Sequence, residues 1–172
     1  MYWNMLNSWL FRKLKESKYR FPLTTTIVNN PDIMLAIYLD SLNLPINELN
    51  IVWDERMLNY IMKNYREIIR HVEKLSKQKG IKFRVIVELN DYIDCFLISL
   101  RYCDIRCLDN IHENFQISDN RICIIPSFNT LDEQLNQILW SNSKYMINQK
   151  QSLFYNLWER AKPLSREKEK SS

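Results

Sequence analysis

The segment "LDNIHENFQISDNRICII", residues 108–125, reads as two half-buried strands around a tight turn. Ile111, Phe115 and Ile117 before the turn, and Ile122 and Ile124 after it, follow the period-2 pattern of a strand with one buried face. Asp119-Asn120 supplies the turn, because both residue types tolerate the left-handed backbone that a two-residue hairpin requires. The same segment carries His112, Asn114 and Asp119 in the spacing His-x-Asn-x-x-x-x-Asp. Imidazole and carboxylate are the groups that nucleophilic and acid–base chemistry employs. The segment therefore has both a structural and a catalytic reading.

Strands and helices alternate on either side of it. "IKFRVIVEL", residues 81–89, is β-branched and aromatic with a continuous apolar run, as a buried strand should be. "INELNIVW" (46–53) and "IRCL" (105–108) predict two more strands. Asp32 is placed to cap a helix over 33–43 that turns Met34, Ile37 and Tyr38 inward. Asp54 is placed to cap a longer one over 55–79, and Gly80 to stop it in the left-handed conformation. Another helix is expected over about 91–102. Residues 130–160 read as one long helix with two apolar faces, Leu131, Leu135, Leu139, Met146, Leu153 and Leu157 on one, Trp140, Ile147, Phe154 and Trp158 on the other. A helix apolar on two faces needs cover on both: one face can pack on the sheet, while Trp140, Ile147, Phe154 and Trp158 are assigned to an interface with a second subunit or domain, the alternative being complete burial within one domain. The class is α/β.

Three parts are expected along the chain: an amphipathic helix and linker over 1–30 (Trp3, Leu6, Leu10 and Leu14 in its stripe), a main domain over 31–163, and a charged tail over 164–172. A single glycine, Gly80, among 172 residues excludes glycine-rich phosphate loops. The net charge of +4 is uneven: residues 1–20 carry +4 and residues 159–172 carry +2, which leaves −2 for the centre. Without a basic excess there, no nucleic acid is expected as a partner of the main domain. Membrane contact is confined to residues 1–20, with docking on protein as the preferred reading. Cys95, Cys103, Cys107 and Cys123 follow no secretory signal and match no zinc spacing, so free thiols in the cytoplasm are expected, with no metal and no cofactor.

Further landmarks carry a resemblance. "WSNSKYMINQKQSLFYNLWERAKP" holds Ser141-Asn142, Lys144, Gln149, Gln151, Phe154, Leu157-Trp158 and Ala161-Lys162-Pro163. With "GIKFRVIVELN" and the positions Arg106, Leu108, Asp109, Asn114-Phe115 and Ser118-Asp119, it resembles the N-terminal sensory domain of archaeal histidine kinases over about residues 46–163. That resemblance implies a phospholipase D-like sheet flanked by helices, with a long C-terminal helix, acting as a non-catalytic sensor of a small ligand. Cys107 stands where those domains usually have His, and His112 where they usually have Lys. Neither a phosphoacceptor helix nor an ATP lid is legible, so kinase activity is not expected.

Phospholipase D-type phosphodiesterases use two His-x-Lys-x-x-x-x-Asp motifs around one phosphate, the lysines neutralising its charge. Here one motif is present and Asn114 replaces the lysine. Loss of one such stabilising group typically costs about 100- to 1,000-fold in rate. The chain is therefore expected not to be an enzyme. The enzymatic alternative is a homodimer acting through His112, Asn114 and Asp119, with Lys144 or Arg106 substituting for the lost cation. The sensor reading instead assigns a ligand pocket to Cys95, Arg106, Asp109, His112, Asn114 and Asp119, signalling through the last helix to a second copy or a signalling partner protein. A plain dimerisation module is the third reading.

Overall fold

A computed structural model describes residues 25–42, 47–64, 74, 77, 80–88, 103–129 and 134–164. In chain order these form β1 (Thr25–Val28), α1 (Pro31–Leu42), β2 (Glu48–Trp53), α2 (Glu55–Asn64), β3 (Lys82–Val87), β4 (Asp104–Cys107), β5 (Phe115–Ser118), β6 (Ile122–Phe128), β7 (Leu135–Ser141), α3 (Lys144–Arg160) and β8 (Lys162–Pro163). The strands make one eight-stranded sheet in the order β1-β7-β6-β5-β2-β3-β4-β8. β2, β3 and β4 run parallel, and every other pairing is antiparallel.

The parallel strands take the centre because helices cover both their faces. Leu49, Ile51, Trp53, Phe83, Val85 and Val87 point into the core beneath α1 and α2. Val52, Ile86, Phe115, Ile117 and Cys123 point the other way, onto Ile147 and Phe154 of α3. Residues 83–87 are buried without a break, Arg84 among them.

Local chemistry explains the helix boundaries. Asp54 caps α2, its Oδ1 accepting the Met57 N–H at 2.8 Å. α1 begins two residues earlier than the sequence indicates: Pro31 opens it, and Asn30, not Asp32, is the cap, Oδ1 accepting the Ile33 N–H at 3.2 Å. Proline suits a first helical turn, where its missing N–H would have had no partner. Gly80 has φ +62°, in the left-handed region expected of it.

The main correction concerns residues 130–160. Leu135–Ser141 is a strand, and the helix comprises only Lys144–Arg160. β7 pairs with β6 on one side and β1 on the other. Short apolar runs fit helical and extended periods alike, and two neighbouring strands decide this one. β1 itself lies in the stretch read as linker. The amphipathic helix expected near the N-terminus, the helix over 91–102, Cys95 and the charged tail lie outside the described residues. No helix among those described is long and apolar enough to cross a membrane.

Candidate functional site

The three motif residues lie on one hairpin but are not brought together. His112 is exposed in the loop before β5, Asn114 is buried beside it, and Asp119 follows the far end of the strand. Four residues of strand span roughly 13 Å, so Asp119 is too distant to orient His112. Its carboxylate is committed locally. Oδ1 accepts the backbone N–H groups of Asn47 at 2.9 Å and Glu48 at 2.8 Å, and Oδ2 receives Arg121 Nη2 at 2.9 Å. Asp119 and Asn120 have φ +47° and +57°, and the Arg121 N–H closes the turn on the Ser118 carbonyl at 2.9 Å, the type I′ hairpin expected of the pair.

Asn114 is likewise engaged. Its Oδ1 accepts the Asp54 N–H at 2.7 Å, tying the entry of β5 to the start of α2 at the C-terminal edge of the parallel strands. At the same edge Glu88 accepts the N–H groups of Glu55 (3.1 Å) and Asn110 (3.0 Å). Lys150 of α3 forms an ion pair with Glu113 and lies 5.3 Å from the centre of the Phe115 ring. It is the cation placed next to the motif. Lys144 is exposed in the first turn of α3.

Arg106 sits elsewhere, on the α3 face of β4. Its Nη1 donates to the Trp158 carbonyl at 2.7 Å and the Ala161 carbonyl at 3.5 Å, while its guanidinium lies 4.4 Å from the centre of the Trp158 ring. Arg84 of β3 lies beside it, 5.2 Å from the Phe154 ring, 5.3 Å from Tyr155 and 5.7 Å from Trp158. Asn50 Oδ1 and Glu48 Oε2 accept from Arg84 at 2.9 and 2.8 Å. Lys82 is exposed two residues earlier on the same strand, and period 2 puts it on the same face. A groove of about 250 Å³ opens here, lined by Lys82, Arg84, Asp104, Arg106, Trp158 and Pro163. Glu48 offsets Arg84 and the exposed Asp104 carboxylate shares the lining, so the positive charge of the groove rests on Lys82 and Arg106 against that one carboxylate.

The residues proposed as a ligand pocket from sequence thus occupy three places: Arg106 in the groove, His112 and Asn114 at the strand edge near exposed Asp109, and Asp119 in the hairpin. Of the four proposed interface residues, Ile147 and Phe154 are covered by this chain's own sheet at 1% and 0% exposure. Trp140 is half-buried on β7, and Trp158 forms a wall of the groove. Lys82, Arg84 and Lys150 escaped the sequence reading. One signal was available: Lys-x-Arg inside an otherwise apolar strand puts two cations on one face.

Cys103 and Cys107 belong to the core beneath α1 and α2, and Cys123 to that beneath α3, so the sheet separates them. All three are buried, and Cys107 and Cys123 are free thiols. Burial, reinforced by the charge of Asp109, pushes the Cys107 thiol up to about 11. Burial pushes Cys123 up to about 12 against the opposing charge of Lys150.

Solved structures share this architecture. NucT from Helicobacter pylori superposes with a TM-score of 0.67 at 14% identity, over 83% of this chain and 100% of that one. Nuc from Salmonella typhimurium, a phospholipase D family member, gives 0.65 at 11%, over 83% and 99%. TrmBL2, an archaeal chromatin protein with a novel mode of DNA binding, gives 0.62 at 12%, over 94% of this chain but only 62% of its own. No protein-family model and no curated protein matches the sequence. The fold is phospholipase D-like, as the resemblance implied, although none of these three chains is a histidine-kinase sensor.

One expectation is overturned. Nucleic acid was excluded from the main domain on its net charge, yet a DNA-binding chromatin protein carries this fold. The physical reason is that net charge sums over a surface while binding depends on local clustering. Lys82, Arg84 and Arg106 converge within a central segment whose total is negative.

Proposed function

We propose that this chain is a non-catalytic phospholipase D-like domain that binds the phosphodiester backbone of nucleic acid in the groove between β3, β4 and the end of α3. The observation that carries the reading is the convergence of Lys82, Arg84 and Arg106 around Trp158. The aromatic rings hold both guanidinium groups in place before any ligand arrives, which reduces the ordering cost of binding. Exposed Arg160 adjoins the groove in the chain, two residues after Trp158.

The non-catalytic part rests on Asn114 standing where the motif's lysine would be and on its engagement by the Asp54 N–H. Phospholipase D enzymes use this fold, so activity is decided by that geometry and not by the architecture. A cytoplasmic setting is supported by the buried free thiols of Cys107 and Cys123. A sensory output through α3 is the finer part of the proposal, supported by the hold that Arg106 has on the helix end.

Fluorescence anisotropy with a labelled oligodeoxythymidylate tests the reading. Binding is expected, weakening as salt rises because phosphate contacts release counterions. Lys82→Glu should reduce affinity about tenfold, in the range for reversing one phosphate-contacting charge. The oligonucleotide should emerge intact, with wild type and His112→Ala indistinguishable on a gel. Cleavage that disappears in His112→Ala would establish the phosphodiesterase instead.

A further inference from the structure

We infer that Arg106 couples occupancy of the groove to the docking of Ala161–Leu164, so that a bound phosphate and the end of the chain's last helix are read by one side chain. The inference rests on the binding reading above and adds its regulation. Among the described residues, both hydrogen bonds that Arg106 makes come from Nη1, one to the Trp158 carbonyl and one to the Ala161 carbonyl. A guanidinium has five N–H donors in a fixed plane. Nε and Nη2 therefore remain for the groove, and together they form the side-on fork that takes two oxygens of a phosphate.

The helix end and the phosphate thus occupy different edges of one cation and do not compete. Each one immobilises the guanidinium that the other needs, so the second to bind loses less side-chain freedom, the entropic route to positive cooperativity. The mechanical connection is short. β4 carries Arg106 and pairs directly with β8, Arg106 opposite Pro163 and Cys107 opposite Lys162. The Leu164 N–H then donates to the Ile105 carbonyl at 3.2 Å, and the Ala161 N–H to the Leu157 carbonyl at 2.9 Å. Pro163 and Trp158 line the same groove, so a ligand there touches the strand, the helix end and the arginine at once. Reciprocity follows: whatever loosens β8 must weaken phosphate binding by the same factor.

Hydrogen–deuterium exchange of the full chain, with and without saturating oligodeoxythymidylate, tests this at the amides of Ala161 and Leu164. Couplings between sites typically amount to about 5- to 150-fold, so exchange there should slow by at least about fivefold in the complex. Lys82→Glu should bind more weakly yet retain the slowing once saturated, because it leaves the clamp intact. Arg106→Lys keeps the charge but loses the fork, and should lose the slowing even at saturation. Saturated wild type with unchanged exchange at both amides would overturn the coupling while leaving the binding reading intact. Absence of binding by anisotropy would remove the binding reading and the coupling with it.

Discussion

Asp119 illustrates how one residue can satisfy a catalytic spacing while serving the backbone. Its carboxylate joins the β5–β6 turn to the start of β2, 71 and 72 residues away in sequence. Nothing near position 119 announces that partnership. The turn itself was legible, because Asp and Asn are among the few residues that accept positive φ without glycine. Asp119→Ala removes the acceptor for two backbone N–H groups and for Arg121. It should destabilise the fold by about 1–3 kcal/mol, read as a lower urea midpoint with an unchanged slope. A fully stable Asp119→Ala protein would mean that the carboxylate is kept for something other than structure.

At the scale of elements, α3 shows what periodicity can and cannot decide. Ile147, Phe154 and Trp158 form one stripe, and only the longer helix expected over 130–160 leaves that stripe in need of a partner. With β7 removed from the helix, that stripe is the one the sheet needs. Phe154 is fully buried against Ile86, Phe115 and Ile117. Phe154→Ala should therefore cost about 3–5 kcal/mol of folding stability. Chemical denaturation measured at several protein concentrations separates this from an interface role, which would make the loss depend on concentration. The strand β7 was hidden for a related reason. "LNQILWS" exposes or half-buries most of its residues, with Ile138 and Ser141 buried, so its sequence lacks the alternation that marked β5 and β6.

For the whole molecule, the two thiol-bearing cores set an alkaline limit. In the fold the Cys107 and Cys123 thiols are raised from 9.0 to about 11 and about 12 by burial. An unfolded chain loses those protons near pH 9, whereas the folded one retains them, so unfolding releases protons in that interval. Stability should accordingly be flat below about pH 8.5 and fall as pH rises through 9 towards 12. Tyr38, buried with the Trp53 indole N–H donating to its hydroxyl at 2.9 Å, is also raised and adds to the fall above pH 10. Urea midpoints between pH 8 and 11 check the profile. Cys123→Ala should flatten it, and a profile that rises with pH would contradict the burial of these groups.

By itself the sequence determined the α/β alternation, the strands β2 to β6, the cap of α2, the left-handed Gly80, and the hairpin at Asp119-Asn120. These depend on neighbouring residues: alternation, a cap three positions from its N–H, a left-handed turn. Tertiary structure alone decided the identity of β7, held between β6 and β1, and of β1, which pairs with β7. It alone drew Asp119 away from His112 and collected Lys82, Arg84, Arg106 and Trp158 into one groove. Those outcomes rest on pairings between distant segments, whose free energy belongs to the contact and is written in neither segment separately.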